Sequence, residues 1–507
     1  MNYYKHFSYP KDIDQRLKDL KTKPAEFWLD LGRKKVGELI KFVIESTPAY
    51  RQFLKDNGID FHKIKGFNDL KNLPIMDKKS YLRQYDYLEL FPFGDLSSKT
   101  VSATSGSTGE PFYFPRGENL DEQYKYVQEI FLKNQWEIDK LSSLFIIGFG
   151  MGIWIGGIYT YQGLKNVYDK YKITQVPVGT HKNLILKSFK GLAQFFDQII
   201  LVGYPPFIKD LGDEAEFEGI NFKNYKMRIL NAAESFSEEF RKYVAKIFNL
   251  ENMLNDNINI YGSVELGAMA NETAFSNLIR SIAVEKDKVF KNIFREATRI
   301  PTLAQYHPYI IWFEEKDGLI LASGYGDSIP LLRYTFPDRG GVITFDEMVK
   351  RLKDSGIDIF EKAKKYGFSD KILKLPFVYV YERSDFAVSL VGINLYPEYI
   401  KFALLNKELQ KKLTGKFSME IVYTSNYNQK LHVHIELKKN QKPSLNLKEK
   451  TKKEIIKSLV KNSTEYNHLY LSGSEKYKKQ LEPEIFFHFY EDEKYFKPGI
   501  KQRWSIK

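Results

Sequence analysis

Cysteine is absent from all 507 residues. That excludes a disulfide scaffold, a thiolate metal site and a cysteine nucleophile. It fits a reducing compartment, and a cytoplasmic enzyme is the expectation. The start, Met1-Asn2-Tyr3-Tyr4-Lys5-His6, runs into charged Lys11-Asp12-Ile13-Asp14. No apolar core of signal-peptide length lies there, which predicts no export. Long apolar runs are scarce too. The most apolar stretch, Leu144 to Tyr161, contains Ile146-Ile147-Gly148-Phe149-Gly150-Met151-Gly152-Ile153-Trp154-Ile155-Gly156-Gly157. Gly152 and Gly156 form a G-x-x-x-G, so a membrane span is weighed. Its five glycines and the lack of a flanking basic cluster favour a buried strand with a glycine-rich turn into a helix. Internal repeats and low-complexity segments are absent as well.

What is present is globular: 43% hydrophobic, 28% charged and 15% aromatic residues. The length exceeds one ordinary core and predicts a large α/β domain with a smaller one. The net charge of +13 reads first as a lysine-rich, solvated surface. It leaves binding of anionic polymers as a competing reading, to be tested by salt dependence. A basic surface also suits polyanionic ligands such as ATP and acyl carriers.

Residues 11 to 55 read as helices, with Leu31, Val36, Ile40, Phe42, Val43 and Ile44 at helical spacing and Ser46-Thr47-Pro48 as punctuation. Asp77 reads as the N-cap of a short helix. Gln198 to Gly203, Met227 to Leu230 and Asn257 to Gly262 read as apolar strands separated by helical patterns such as Glu238 to Phe248. That alternation predicts a mostly parallel sheet. The tail differs. Met419 to Tyr423 and Leu431 to Leu437 alternate apolar and polar, as half-exposed antiparallel strands do. A lysine-rich helix at Lys448 to Lys461 and the run Ile485 to Tyr490 follow. The predicted organisation is a large domain over 1–384 and a small α+β domain over 385–507.

Three segments carry chemistry. Ser102-Ala103-Thr104-Ser105-Gly106-Ser107-Thr108-Gly109-Glu110-Pro111 packs glycines and hydroxyls between apolar stretches. Such a loop can turn N–H and O–H donors onto phosphates. No G-K-[ST] closes it, so it is not a P-loop. On its own it reads more readily as a surface turn. Tyr261-Gly262-Ser263-Val264-Glu265 follows a strand end, where ligands of such sheets sit. A tyrosine there can stack on a base, and a carboxylate can hold Mg²⁺ against phosphate oxygens. Arg333-Tyr334-Thr335-Phe336-Pro337-Asp338 places an acceptor carboxylate past another strand, able to take both hydroxyls of a ribose. The plain alternatives are a surface glutamate and a turn aspartate ahead of Gly340-Gly341.

Taken together and in order, these segments change the reading. With Asn231-Ala232-Ala233-Glu234-Ser235 and Glu382-Arg383-Ser384-Asp385 they resemble the adenylate-forming superfamily of acyl-CoA synthetases, adenylation domains and luciferases. Within it they resemble the phenylacetate-CoA ligase branch. Leu73-Pro74-Ile75-Met76-Asp77-Lys78-Lys79-Ser80-Tyr81-Leu82-Arg83 looks like that branch's upstream segment. Ala233-Glu234-Ser235-Phe236-Ser237-Glu238-Glu239-Phe240-Arg241 is similar to its Ala-Glu-Pro-Trp-Ser-Glu-x-x-Arg. Gly392-Ile393-Asn394-Leu395-Tyr396-Pro397-Glu398-Tyr399-Ile400 resembles its Gly-Val-Asn-Ile-Phe-Pro-x-x-Ile.

The resemblance implies an AMP-forming acid ligase using ATP and Mg²⁺, with CoA as acceptor. Thr104, Ser105, Gly106, Ser107, Thr108 and Gly109 would hold the ATP phosphates. Ala232, Ala233, Glu234, Tyr261 and Gly262 would frame the adenine and the acyl carboxylate. Glu265 would bind Mg²⁺, and Asp338 and Arg383 the ribose. Asp385 falls at the family's hinge, and Lys501 is implied as the adenylation lysine. The implied partners are a small carboxylic acid and CoA, an amine or a carrier protein; a homodimer stays open. Neither a specific nucleic acid nor a membrane span is expected.

The sequence also departs from the family pattern. Phe386 stands where many relatives have a second Asp, and Phe336-Pro337 replaces the common Arg-Thr or Thr-Gly. Gly341 to Pro376 is longer than in simple phenylacetate ligases. Met269-Ala270-Asn271-Glu272-Thr273 has no cysteine where some relatives bind zinc. Transfer to an amine, as in amide synthetases, and a non-catalytic nucleotide-binding protein remain competing readings. Trp154 and Tyr159 are candidates for an acyl-pocket wall, against the plainer role of core. Lys438 to Lys453 is a basic stretch that reads first as an exposed helix and second as a site for CoA or a phosphopantetheine carrier. His432 and His434 share a strand face, but no carboxylate or cysteine completes a metal set nearby, so they read as a solvated strand face.

Overall fold

A computed structural model describes residues 9–97, 99–103, 112–153, 155–168, 170–294, 300–381, 388–390, 393–424, 429–463, 466–467, 470–471 and 475–497. The chain forms two compact units, Met1–Tyr381 and Glu382–Lys507.

The larger unit opens with three helices, Ile13–Thr22, Ala25–Ser46 and Pro48–Asp56, with Pro48 at the first helical position, where its missing N–H costs nothing. Asp77 caps the short turn Lys78–Leu82 by accepting from the Lys79 and Ser80 N–H groups, as the sequence predicts. A hairpin follows, β1 (Thr100–Ala103) with β2 (Tyr113–Arg116). The main sheet then collects β3 (Ser143–Ile147), β4 (Ile173–Val176), β5 (Gln198–Gly203), β6 (Met227–Ala232), β7 (Asn257–Ser263), β8 (Gly267–Asn271), β9 (Thr302–Gln305), β10 (Trp312–Lys316), β11 (Leu319–Gly324), β12 (Leu331–Ile343) and β13 (Phe377–Val380). Its order is β10-β11-β12-β13-β9-β8-β7-β6-β5-β3-β4.

From β4 to β7 the pairs are parallel, joined by the helical crossovers that the sequence pattern indicates. Alternate residues there feed two cores. Leu144, Ile146, Ile199, Leu201 and Ile229 pack on one side, and Phe145, Ile147, Ile200, Val202 and Leu230 on the other. Burial on both faces is why these strands read as unbroken apolar runs. Beyond β7 every pairing is antiparallel. The stretch Leu144 to Tyr161 is β3, a glycine-bearing turn and the helix Ile155–Lys165. Among the described residues no helix is long and apolar enough to cross a membrane.

Strand β12 is irregular in two places. Opposite β11, the step from Ala322 to Gly324 faces the longer step from Tyr334 to Leu331, and the extra residue, Arg333, has φ +53°. Further on, the step from Leu319 to Leu321 faces Arg339 to Thr335, so Phe336, Pro337 and Asp338 lie in a second bulge. Bulges re-aim side chains at sheet edges and sites, and they tolerate proline, which has no N–H to give. The plain alternative of a turn aspartate ahead of Gly340-Gly341 does not hold, since strand β12 runs on through both glycines. They pair with Val380 and Tyr379 of β13, and a Cβ on Gly340 would lie 2.0 Å from the Tyr379 carbonyl oxygen. The long segment after them folds into helices Phe345–Asp354 and Ile359–Lys365 over their own apolar cluster.

One polar cluster is buried behind the parallel edge. Ser237 caps the helix Glu238–Ile247, accepting from the Phe240 N–H at 3.1 Å. That fixes Glu238 and Arg241 one turn apart. Arg241 donates from Nε to Glu238 at 3.2 Å and from Nη2 to both Glu272 oxygens at 3.0 Å, and it reaches the Asn257 carbonyl. Arg280 pairs with the same Glu238 and donates to the Phe236 and Pro301 carbonyls. Glu272 also accepts from the Asn259 N–H at 3.0 Å. Burial alone raises the Glu238 carboxyl, but the Arg241 and Arg280 guanidiniums outweigh it and hold it below the usual range.

Removing one partner of such a network strands the others. Arg241→Met is expected to lower the unfolding free energy by about 3–5 kcal/mol. A denaturant midpoint unchanged from wild type would refute the clamp. Gly340→Ala should destabilise by about 1–3 kcal/mol through overpacking between strands, measured the same way, and Gly219→Ala, which meets no neighbouring atom but has φ +70°, serves as a strain-only control.

The smaller unit holds a hairpin, β14 (Val388–Leu390) with β15 (Ile393–Leu395), and a three-stranded sheet of β16 (Leu413–Tyr423), β17 (Gln429–Leu437) and β18 (Glu484–His488). The first pair is antiparallel as predicted, and β18 adds parallel to β17. Helix Leu445–Asn462 buries Leu447, Ile455 and Leu459 against the sheet core.

Candidate functional site

The candidate residues gather at the carboxyl ends of β6 and β7. Strand β6 ends at Ala232, and Ala233 takes φ +74°, a left-handed conformation uncommon for a residue with a Cβ. The turn is held from β7: Asn259 Nδ2 donates to the Glu234 carbonyl at 2.8 Å. Asn231 Nδ2 donates to Asn257 Oδ1 at 2.7 Å, so the strand pair carries side-chain as well as main-chain ties. Tyr204, just past β5, has its hydroxyl pushed up to about 12, by burial first and by the Glu234 charge second. Phe149 meets the Tyr204 ring edge-on at 4.9 Å. Backbone strain of this kind gathers at functional sites when the surroundings enforce it.

Tyr261 and Asp338 meet directly. The Tyr261 hydroxyl donates to Asp338 Oδ2 at 2.8 Å, joining β7 to the second bulge of β12. The Tyr261 ring stacks on Phe313 with centroids 6.1 Å apart. Gly262 is required by close approach: a Cβ there would stand 2.6 Å from the Gly267 carbonyl oxygen. Its absence lets Ser263 pair with Gly267 and leaves Glu265 on the tight loop between β7 and β8. Glu265 is 8% exposed. Its Oε1 accepts from the Tyr334 hydroxyl at 3.4 Å and lies 3.5 Å from Lys78 Nζ.

Lys78, Tyr334 and Arg116 are the residues that sequence reading leaves unassigned. Lys78 belongs to the upstream segment and reaches Glu265 because Met76 is bridged to β12: its N–H donates to the Arg333 carbonyl, and Thr335 N–H returns to the Met76 carbonyl at 2.8 Å. Arg333 donates to the Lys71 and Leu73 carbonyls at 2.7 and 2.6 Å and pairs with Glu314 at 3.3 Å. Arg116, on β2, donates to Asp121 at 3.0 Å and to Ser102 at 3.2 Å, bracing the base of the hairpin. The hairpin docks through Ala103 N–H on the Ile153 carbonyl.

Thr104, Ser105, Gly106, Ser107, Thr108 and Gly109 lie outside the described residues, as do Trp154, Arg383, Asp385 and Lys501. Tyr159 is buried core, stacked on Tyr124 at 4.1 Å, and burial raises its hydroxyl well above the ordinary tyrosine range. Glu272, in the segment where some relatives bind zinc, is taken up by Arg241. His432 and His434 are not an isolated pair: Glu420 and Glu484 approach them from the neighbouring strands.

The chemistry of the donor set fits Mg²⁺. A Mg²⁺ ion at a nucleotide site takes one or two carboxylates and leaves the rest to phosphates and water. Glu265 offers one buried carboxylate, and both of its described contacts fall on Oε1. Asp338 and Tyr261 add acceptor and donor oxygens suited to a polyhydroxylated, anionic ligand.

No protein-family model matches the chain. A phenylacetate-coenzyme A ligase of Thermus thermophilus is 25% identical over 253 residues, 49% of this chain and 53% of that protein. The likeness thus spans about half the length of that relative. In fold, a 2-hydroxyisobutyryl-CoA ligase solved in the postadenylation state with its acyl-AMP superposes with a TM-score of 0.67 at 13% identity, covering 99% of this chain and 94% of that one. The same enzyme solved with acyl-AMP and CoA in the thioesterification state gives 0.55, covering 99% and 94%. The chain shares the fold of that 2-hydroxyisobutyryl-CoA ligase, and half of it is similar in sequence to a phenylacetate-CoA ligase.

Proposed function

We propose that the chain is an AMP-forming acid ligase, activating a carboxylic acid with ATP and passing the acyl group to CoA. The observation that carries this is the meeting of Tyr261 with Asp338 at the carboxyl end of β7, with the buried Glu265 on the loop that follows the same strand. Segments distant in sequence come together where α/β sheets bind ligands.

A carboxylate is a poor electrophile because it is anionic. Its attack on the α-phosphorus of ATP gives an acyl-adenylate and pyrophosphate, and two anions must be brought together for it. Mg²⁺, when bound, supplies charge neutralisation at the phosphate oxygens. Glu265 would hold it through the oxygen that Lys78 and Tyr334 do not use. Tyr261 would orient Asp338, so that both Asp338 oxygens face the ribose hydroxyls. The strained turn at Ala233 and Glu234 would line the adenine and the acyl carboxylate. Thr104 to Gly109 would add neutral donors to the phosphates, Arg383 a contact to the ribose, and Lys501 the positive charge of the first step. Residues 385–507 would turn about Asp385 between the two half-reactions. Positioning for in-line attack supplies much of the remaining rate.

Acid-dependent ATP–pyrophosphate exchange across aromatic, short-chain and long-chain acids tests the first step. Exchange with at least one acid is expected, followed by thioester when CoA is added. Hydroxamate without any thioester would overturn the CoA assignment, and ATP binding without exchange would overturn the activity. Glu265→Ala should cut exchange by about 100-fold or more, with full activity counting against the metal role. Tyr261→Phe should raise the KM for ATP about tenfold, since a hydrogen bond to a charged group contributes ~1.5–3 kcal/mol. An unchanged KM would separate Tyr261 from nucleotide binding.

A further inference from the structure

The smaller unit carries a cluster that the proposed reaction does not use. On β17, His432 and His434 point to the face opposite the core residues Leu431, Val433 and Ile435. Glu420 stands directly across from His432 on β16, and Glu484 directly across on β18. The sheet register thus brings a carboxylate from each flanking strand to the histidines.

We propose that Glu420, His432 and His434 form a binding site for a zinc-class divalent transition metal. Glu420 Oε1 is 3.0 Å from His434 Nε2 and 3.8 Å from His432 Nδ1, and the three ligand atoms lie within 4.8 Å of one another. Around a tetrahedral ion with bonds of ~2.0–2.1 Å, ligand atoms stand about 3.3 Å apart. The observed separations bracket that value, so small side-chain rotations bring all three onto one ion. Two imidazoles and one carboxylate leave a fourth position for water or another ligand.

The outer ring of contacts points the same way. A ligating imidazole ordinarily gives its other nitrogen to a carboxylate or another acceptor, which fixes the ring and its tautomer. The second nitrogen of His432, Nε2, lies 3.4 Å from Glu484 Oε2. The second nitrogen of His434, Nδ1, lies 2.9 Å from His488 Nε2, and His488 Nδ1 faces Asp492 at 3.7 Å. Tyr495 stacks on the His434 ring at 4.3 Å, and Phe486 flanks it at 5.2 Å, so the ring is held from both sides. Glu484 is shared with Lys430, whose Nζ is 3.3 Å from the other carboxylate oxygen. Lys430 thereby balances charge at the rim without occupying the oxygens of Glu420. Imidazole donors select Zn²⁺, Ni²⁺ and Co²⁺ over Mg²⁺ and Ca²⁺. The metal would staple β16 to β17, with β18 supplying the outer contact.

The test uses the full-length chain without a histidine tag, stripped with chelator. Zn²⁺ titration by calorimetry should show one tight equivalent per chain, and Co²⁺ should give the visible absorption of a low-coordinate site. The unfolding temperature should rise with Zn²⁺ and not with Mg²⁺. His432→Gln, at the more exposed of the two histidines, should remove the tight equivalent and the Co²⁺ spectrum while circular dichroism stays that of wild type. Glu484→Gln should weaken binding about 10–100-fold. Absence of a tight equivalent in the wild type, or binding unchanged in both His432→Gln and Glu420→Gln, would overturn the site. If His432→Gln fails to fold, Glu420→Gln carries the same expectation. No outcome depends on the ligase activity, so failure here is distinct from failure of that reading.

Discussion

Four charged side chains buried behind the sheet edge set the terms for the rest of the larger unit. Glu238, Arg241, Glu272 and Arg280 lie at 0 to 2% exposure, each engaged by at least one of the others. Burying charges is expensive, and a packed apolar cluster could match their stability. What they add is a unique geometry. Arg241 reaches from the helix after β6 to the Asn257 carbonyl of β7 and to Glu272 beyond β8, while Glu272 holds the Asn259 N–H. The helix start, β7 and the chain past β8 can satisfy these groups together in one arrangement only. That arrangement confines the short connection from Ala232 to Ser237, which passes through the left-handed Ala233 and is tied to β7 at the Glu234 carbonyl. The motif Ser237-Glu238-x-x-Arg241 is thus an anchor, and the chemistry beside it depends on where that anchor holds the chain.

The regular elements were legible because their physics is local. Apolar strands buried on both faces, the Asp77 cap and the break at Ser46-Thr47-Pro48 are written in a few adjacent residues. The antiparallel half of the sheet was not legible, because β9 and β13 pair across more than seventy residues and each is only four residues long. Gly340-Gly341 shows the limit well. A pair of glycines after an aspartate reads as a turn, yet here the missing Cβ atoms admit the Tyr379 carbonyl and ring. Local composition says that a side chain is absent; only the partner strand says why.

The candidate site divides along the same line. Residue types and their order single out Ala232 to Glu234, Tyr261 to Glu265 and Asp338 as candidates, and the fold sets Tyr261 on Asp338 and pairs Ala232 with Ile260. The contacts that orient them were hidden. Lys78 meets Glu265 only because Met76 bridges to β12, and Asp338 meets Tyr261 only because a bulge turns it there. Arg333, the first residue of its motif, spends its guanidinium on the Lys71 and Leu73 carbonyls. Much of what makes the motifs recognisable is therefore architecture, which explains why they identify the fold more sharply than they identify an acid or an acceptor.

The two units also differ in the ligands they can offer to cations. At the sheet edge of the larger unit the donors are oxygens: a buried carboxylate at Glu265, a half-buried one at Asp338, and the hydroxyls of Tyr261 and Tyr334. Hard, strongly hydrated ions such as Mg²⁺ are matched by such sets, particularly when phosphates complete the shell. On the smaller sheet the donors are imidazole nitrogens backed by carboxylates, a set that binds borderline metals far more tightly than Mg²⁺. With no cysteine in the chain, no thiolate competes for those metals. Three of the eight histidines, His432, His434 and His488, sit in that one cluster. The chemistry of the donors would therefore keep the two proposed cations apart: a transition metal at the histidines would have no need of the oxygens of Glu265 and Asp338, and Mg²⁺ would gain little from imidazole.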